Sequence, residues 1–294
     1  MRLVSFALDN SAPRVGAVVE QGAAQVVVEL NEPMSDLGAT RMEELVALDG
    51  AVWPVIQEIM ENEGRHASLA HHSLESVRLL PPVLSPSQML FVRANYPSPE
   101  GVRPPVDRPA FFSKLSSTLI GQGDSIVLPA MSSQVDWEAE LALVIGRHAS
   151  HVSKQEAMRH VAGYTITNDI TARDIQVAGE PTLAKNFRTF APLGPWLVTP
   201  DHVGDPHQLQ IRQWVNETLF QDGSTSEMVF DIPEIIAFLS SVTDLYPGDV
   251  VATGSPAGTG KQQNPLVFLK AGDTLQVEIE GIGMLNNQVV AAPA

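Results

Sequence analysis

Short runs of apolar or alternating residues, each closed by Gly, Pro, Asn or Asp, recur along most of this chain and limit what it can fold into. Residues 89–96, 111–114, 125–129, 163–170, 196–198, 209–215, 249–253 and 274–280 all read as strands. Turns punctuate them at Pro247-Gly248-Asp249 and Gly272-Asp273. Against these stand one clear helix, residues 233–245, and a shorter one over 153–160, where Ser153 and Glu156 have capping-box spacing. A doubly wound sheet places a helix after almost every strand, so the pattern argues for a β-rich α+β fold, a barrel or folded sandwich.

The N-terminal part differs in texture. Residues 3–8, 15–19 and 25–30 alternate as short strands. Met42, Leu45, Val46, Leu48, Val52, Val55, Ile56 and Ile59 then recur at helical spacing around Pro54, which predicts two short helices and a small α+β unit. Three prolines within Pro81-Pro82-Val83-Leu84-Ser85-Pro86 can continue neither helix nor central strand. The expected boundary falls there, with residues 1–80 as a small N-terminal domain and 81–294 as the larger one. A second proline-laden stretch, residues 97–109, predicts an irregular loop, either a lid or a plain connection.

Composition narrows the function. With 18 Lys and Arg against 34 Asp and Glu the chain has a net charge of −16, which repels nucleic acid and anionic membrane surfaces. Cysteine is absent, so disulfides, thiolate nucleophiles and cysteine-bound zinc or iron–sulfur centres are excluded. The start of the chain lacks the apolar run of a secretion signal, and no segment reaches the roughly 18 apolar residues of a membrane span, so a cytoplasmic protein is expected. His66, His71 and His72 sit in a polar stretch at spacings that match no helical metal pair.

One stretch carries chemistry. If residues 135–146 form a strand, Asp136, Glu138 and Glu140 fall on one side and Trp137, Ala139, Leu141, Leu143 and Ile145 on the other. Carboxylates two residues apart on one face stand roughly 6 to 7 Å from each other and repel unless water screens them or a cation lies between them. The face is therefore either solvated or a site for a hard cation such as Mg²⁺ or Mn²⁺. Asp169, at the end of the strand 163–170, either opens a turn or adds a third carboxylate. The glycine-rich run 253–261 is no phosphate loop, since Ser255 stands where the first Gly is required and Gln262 follows Lys261. It is a tight loop able to approach a small ligand closely. No Gly-x-Ser-x-Gly elbow supports serine hydrolysis.

Several motifs in order resemble one family. They are Asp136-x-Glu138-x-Glu140-Leu141, Gly163-Tyr164-Thr165 with Asn168-Asp169-x-x-Ala172-Arg173-Asp174-x-Gln176, and Lys185-x-Phe187 with Pro192-x-Gly194-Pro195. Pro247-Gly248-Asp249-Val250 with Thr253-Gly254-Ser255-Pro256-x-Gly258-x-Gly260 completes the set. From about Met89 to Asn287 the chain is similar to the fumarylacetoacetate hydrolase family. The resemblance implies a mixed β-sandwich roll, usually dimeric, with a smaller N-terminal part in longer members. It also implies a divalent-metal enzyme acting on a small 2-oxo acid, often a β-diketo acid. Glu138, Glu140 and Asp169 then match ligands of Mg²⁺ or Mn²⁺, with Ca²⁺ a further candidate. Lys185 matches the group that stabilises developing charge, and Arg173, Gln176, Thr253 and Tyr96 match positions near the bound substrate. Such a cation polarises the 2-oxo group and stabilises an enolate as a Lewis acid.

One departure bears on the reaction. Family hydrolases carry Asn-Tyr-x-x-His-x-x-Glu, whose His-Glu pair activates water. Here Asn95-Tyr96 is followed by Pro99 and Val102 at those two places, and no histidine occurs between His72 and His148. Losing a general base costs about 10² to 10⁴ in rate. Either Glu100 substitutes, or the reaction needs no activated water, as in decarboxylation, isomerisation or elimination. The expected function is C–C hydrolysis of a small 2-oxo acid such as an acylpyruvate, with those three reactions or a catalytically silent metal-binding member as alternatives.

Overall fold

The structure, a computed structural model, describes residues 1–9, 11–48, 50, 52–61, 69–177 and 180–292. Runs rich in Val, Ile, Leu and Phe become strands because branched and aromatic side chains fit a pleated, half-buried surface. The part before the proline run supplies β1 (Arg2–Ala7), β2 (Arg14–Gln21), β3 (Ala24–Glu29) and β4 (His71–Ser73). After it come β5 (Met89–Arg93), β6 (Ala110–Ser113), β7 (Ser125–Leu128), β8 (Ala139–Ile145), β9 (Val161–Asn168) and β10 (Ala191–Val198). The chain closes with β11 (Gln210–Val215), β12 (Thr218–Ser224), β13 (Val250–Ala252), β14 (Thr274–Ile279) and β15 (Gly283–Ala291).

One sheet runs β4-β3-β2-β1-β10-β9-β8-β13-β5-β6, and a second runs β12-β11-β14-β15-β7. Parallel pairs, β5 with β13 and β7 with β15, lie among antiparallel ones, so both sheets are mixed. This is the β-rich α+β architecture that the sequence pattern calls for. β8 lies near the middle of the larger sheet, and each of its residues is at most 2% exposed. Leu141, Leu143 and Ile145 share one core with Ile211, Val277 and Ile279 of the second sheet, while Ala142 and Val144 share another with Leu45, Val46 and Ile56 of the N-terminal helices. Cover on both faces explains why residues 141–145 read as a continuous apolar run.

The N-terminal strands do not form a sheet of their own. β1 pairs with β2 on one edge and with β10 on the other, where Arg2 faces Val198 and Leu3 faces Leu197. Residues on both sides of the proline run thus share one sheet and one core, and Pro81 marks a change of texture with no break in the sheet. Pro54 does not divide two helices either. The helices are α1 (Asn31–Ser35), which no pattern announced, α2 (Met42–Ala47) and α3 (Val52–Glu61). Pro54 sits in the first turn of α3, where an N–H has no intrahelical acceptor to lose. His72 Nε2 lies 3.2 Å from Glu29 Oε2, and His71 pairs through its backbone with Val28; His66 lies outside the described residues.

The stretch 153–160 is a single α turn, α4 (Lys154–Ala157), continued by a 3₁₀ turn over Met158–His160. Its capping box does not form, because the Ser153 hydroxyl meets the Glu156 carboxylate at 3.4 Å and caps no backbone N–H. The long helix, α6 (Ile232–Val242), follows a one-turn α5 (Thr182–Lys185) and is properly capped, with Asp231 Oδ1 accepting the Glu234 N–H at 2.8 Å.

The acidic strand is interrupted. β8 and β9 are in register with Ala139 opposite Asn168, but beyond that point Val135–Asp136 pairs with Thr171–Ala172 as a separate two-stranded ladder. Trp137 turns into a third core cluster against Phe220, with ring centroids 4.9 Å apart. Asn168 Oδ1 takes the Glu138 N–H at 3.0 Å, so Glu138 leaves the ladder.

Candidate active site

Where β8 begins and β9 ends, three carboxylates converge. Glu138 leads into β8, Glu140 is its second residue, and Asp169 directly follows β9, with its N–H donated to Glu138 O at 2.8 Å. One oxygen from each of Glu138, Glu140 and Asp169 lies within 4.8 Å of the others. Asp136, expected on the same face, is instead fully buried beside them. Its Oδ1 accepts Arg173 Nε at 2.6 Å and its Oδ2 accepts the Lys261 backbone N–H at 2.9 Å. Burial pushes Asp136 up to about 6 against the pull of the Arg173 guanidinium.

Cations are woven through this cluster. Lys185, at the end of α5, contacts Glu138 Oε2 at 2.7 Å and also Asp169 Oδ2, with its ammonium over the Phe112 ring. Arg173 Nη2 donates to Glu138 Oε1 at 2.6 Å. Lys114, which no spacing rule marked, is fully buried and donates to Asp169 Oδ1 at 2.5 Å, Phe190 O at 2.6 Å and Ile170 O at 3.2 Å. Burial pushes Lys114 down to about 8 even though the Asp169 carboxylate opposes it. Burial works against Glu138 as a carboxylate too, but Lys185, Arg173 and Lys261 outweigh it and hold Glu138 well below the usual range.

Glu140 is the member left over. Among the described residues it pairs with no cation, and it accepts one hydrogen bond, from the Gly254 N–H at 2.8 Å. Burial, then repulsion from Asp169 and Glu138, pushes it well above the usual carboxylate range. Four acids, Asp136, Glu138, Glu140 and Asp169, thus face three paired cations, Lys114, Arg173 and Lys185. An excess of one negative charge, carried by three converging hard oxygen donors, fits a divalent ion such as Mg²⁺ or Mn²⁺, whose remaining positions water fills.

The cluster forms one wall of a cavity of about 610 Å³. Of the residues expected at a site, Tyr96, Glu100, Glu138, Glu140, Asp169, Arg173, Gln176 and Lys185 all line it. Thr253 does not: its hydroxyl donates to Leu141 O at 3.0 Å and its carbonyl accepts Asn95 Nδ2 at 2.7 Å, so it braces the loop from behind. Ser255, Thr259 and Lys261 of the same glycine-rich run face the cavity instead. Gln221, likewise unannounced, joins that run to β8 by accepting the Ala139 N–H at 3.0 Å while donating to Ser255 Oγ at 2.8 Å.

Part of the irregular loop 97–109 forms the outer wall, so it shapes the cavity as well as connecting strands. Glu100 is exposed there and accepts Ser98 Oγ at 2.6 Å. The Tyr96 phenol is buried with no well-aligned hydrogen bond among the described residues, and burial, with the Glu140 carboxylate adding to it, raises its pKa against an opposing contact with the Thr253 side chain. Among the described residues no histidine lines the cavity.

Residues 91–290 match the family described as Fumarylacetoacetate (FAA) hydrolase C-terminal. The chain is 38% identical, over an alignment of 305 positions, to the mitochondrial oxaloacetate tautomerase Fahd2a of Rattus norvegicus, covering 99% of this chain and 92% of that protein. Its structure is similar to 5-carboxymethyl-2-hydroxymuconate delta-isomerase from Mycobacterium smegmatis, with a TM-score of 0.78, 32% identity, and 99% and 100% of the two chains covered. It is also similar to maleylpyruvate hydrolase from Sphingobium sp. SYK-6, solved with manganese(II) and pyruvate, with a TM-score of 0.82, 30% identity and 100% of each chain covered.

Proposed function

The chain belongs to the fumarylacetoacetate hydrolase family, and from that premise we propose that it is a divalent-metal-dependent tautomerase of small 2-oxo acids of the oxaloacetate type. One observation carries the reading: the carboxylate triad and its cations are complete, while the His-Glu pair that activates water in family hydrolases is replaced by Pro99 and Val102. Tautomerisation moves a proton between C3 and the 2-oxygen, consumes no water and cleaves no C–C bond. The full-length similarity to an oxaloacetate tautomerase supports the same choice.

A divalent ion held by Glu138, Glu140 and Asp169 would supply Lewis-acid polarisation of the 2-oxo group. The chain's own residues supply the rest. Lys185 and Arg173 set fixed positive charge at the cavity wall, where an enolate or carboxylate oxygen gains most from it. Gln176 adds neutral amide donors on the same wall. Tyr96 keeps its phenol proton beside Glu140 and Thr253, behind the cavity wall that its ring helps to form. Pairing of two chains and a cytoplasmic location belong to the same proposal.

A second reading, C–C hydrolysis, is favoured by Glu100, a carboxylate on the cavity wall outside the triad. Following the ultraviolet absorbance of enol oxaloacetate separates the two. Decay faster than the spontaneous rate, dependent on Mg²⁺ and lost in Glu140→Gln, supports the tautomerase. Two acid products from an acylpyruvate, with no effect on the enol, support the hydrolase. Metal binding without either reaction leaves a silent metal-binding member.

A further inference from the structure

Lys261 is a cation on the cavity wall that the carboxylate cluster does not use. Arg173 and Lys185 are committed to Glu138 and to Asp136 or Asp169. Lys261 gives its backbone N–H to Asp136, but its ammonium makes no ion pair or hydrogen bond among the described residues. Its charge is nonetheless close enough to be felt at Glu138. Two residues earlier Thr259, also on the cavity wall, is 4% exposed; its hydroxyl oxygen turns toward the Gln262 N–H in a local capping box, and among the described residues its proton has no acceptor. A buried hydroxyl proton left unpaired is a standing cost to the fold unless a ligand satisfies it.

The backbone that carries both side chains is fixed. Gln262 Oε1 accepts the N–H groups of Gly258 at 2.8 Å and Thr259 at 3.0 Å. A Cβ on Gly260 would lie 2.1 Å from Val267 O and 2.8 Å from Asp136 Cβ, so this residue must be glycine for the chain to pass so close. Asp136 is the node: one oxygen holds Arg173 beside the triad and the other holds Lys261.

We propose that Lys261 and Thr259 form a subsite for the distal carboxylate of a short 2-oxo dicarboxylic acid. The inference rests on the 2-oxo acid reading above and deepens it. The 2-oxo-carboxylate end of such a substrate belongs at the triad, and its second carboxylate has two oxygens, matching an ammonium and a hydroxyl two residues apart. Arg93 and Arg103, exposed at the outer part of the cavity, add positive field that draws a dianion inward.

The test is calorimetric binding of oxaloacetate and of pyruvate to the Mg²⁺-loaded protein, in the parent, Lys261→Met, Lys261→Arg and Thr259→Val. Circular dichroism of each variant accompanies it. The parent prefers oxaloacetate, and that preference, the ratio of the two dissociation constants, falls about 10-fold or more in Lys261→Met and by a smaller factor in Thr259→Val. Lys261→Arg retains most of it. A ratio unchanged in both Lys261→Met and Thr259→Val overturns the subsite. Turnover of 2-oxo acids by a parent that shows no preference for the dianion overturns it while leaving the tautomerase reading intact. A parent that binds neither acid overturns both.

Discussion

Replacing Lys114 by methionine should cost about 3 kcal/mol of folding stability, and the figure follows from what its ammonium touches. The side chain is fully buried, and Nζ donates to Asp169 Oδ1 at 2.5 Å, Phe190 O at 2.6 Å and Ile170 O at 3.2 Å. Removing one partner of a buried ion pair strands the other charge and costs about 3–5 kcal/mol. Lys185 still contacts the other Asp169 oxygen, which places this case at the low end. With an m-value of about 3 kcal/mol/M in urea, the unfolding midpoint drops by about 1 M. Two further readouts distinguish loss of charge from loss of packing. Mg²⁺ gives Asp169 a new counter-charge, so saturating Mg²⁺ narrows the gap between parent and variant. Burial also pushes Lys114 down to about 8 from an ordinary value of 10.5, so between these values the unfolded chain holds the proton that the folded chain has lost. The parent therefore gains stability as pH rises through that window, and the variant lacks the slope. A midpoint equal to the parent's, or a gap that Mg²⁺ leaves untouched, refutes the reasoning.

Glu140→Gln removes a triad oxygen together with the charge that the cluster tolerates least. The metal-free protein should keep or raise its melting temperature, while the gain that Mg²⁺ gives the parent disappears; an undiminished gain in scanning calorimetry counts against Glu140 as a ligand. Because burial and neighbouring carboxylates raise Glu140, the metal-free fold loses stability as pH rises through its titration, and a bound cation offsets that loss. The Mg²⁺-dependent rise in melting temperature should accordingly grow as pH rises above the ordinary carboxylate range, and a flat profile contradicts this. Gly258→Ala should destabilise by about 3 kcal/mol or more, because its Cβ would lie 2.0 Å from Phe220 O on a backbone at φ +111°. A urea midpoint near the parent's would show that the loop relaxes freely.

What the sequence makes legible here is what local pattern controls. Period-two alternation puts Glu138 and Glu140 on one face and leaves Asp169 open at a strand end, and it is motif order that joins the three with Lys185, Arg173 and Gln176 around the one cavity. Residues joined by long-range pairing leave no such trace. Lys114 reaches Asp169 across 55 positions, and Gln221 reaches Ala139 across 82, so neither has a spacing to recognise. Thr253 stands apart: its place in a motif implies a position near the substrate, and its hydroxyl donates to Leu141 O behind the cavity wall. Asp136 shares the alternation of its two neighbours and the Arg173 guanidinium with Glu138, yet its second oxygen takes the Lys261 N–H, so the glycine-rich loop closes over it, a long-range contact that no alternation reports. The proline run at Pro81 reports a local stiffness of the backbone and nothing about which strand β1 will pair with, and that pairing joins β1 to β10.

Charge joins the metal site to the choice of substrate. Four acids at the cluster meet three paired cations, so the protein alone leaves it one charge negative when Glu140 is ionised. A divalent ion at the triad reverses the sign, and Lys261, unpaired on the same wall, adds one more positive charge. The loaded triad, its paired cations and Lys261 together then carry two positive charges, with Arg93, Arg103 and Glu100 further out on the same cavity wall. A monocarboxylate such as pyruvate neutralises one and leaves the other partly desolvated, which is costly in a confined site. A short 2-oxo dicarboxylate neutralises both.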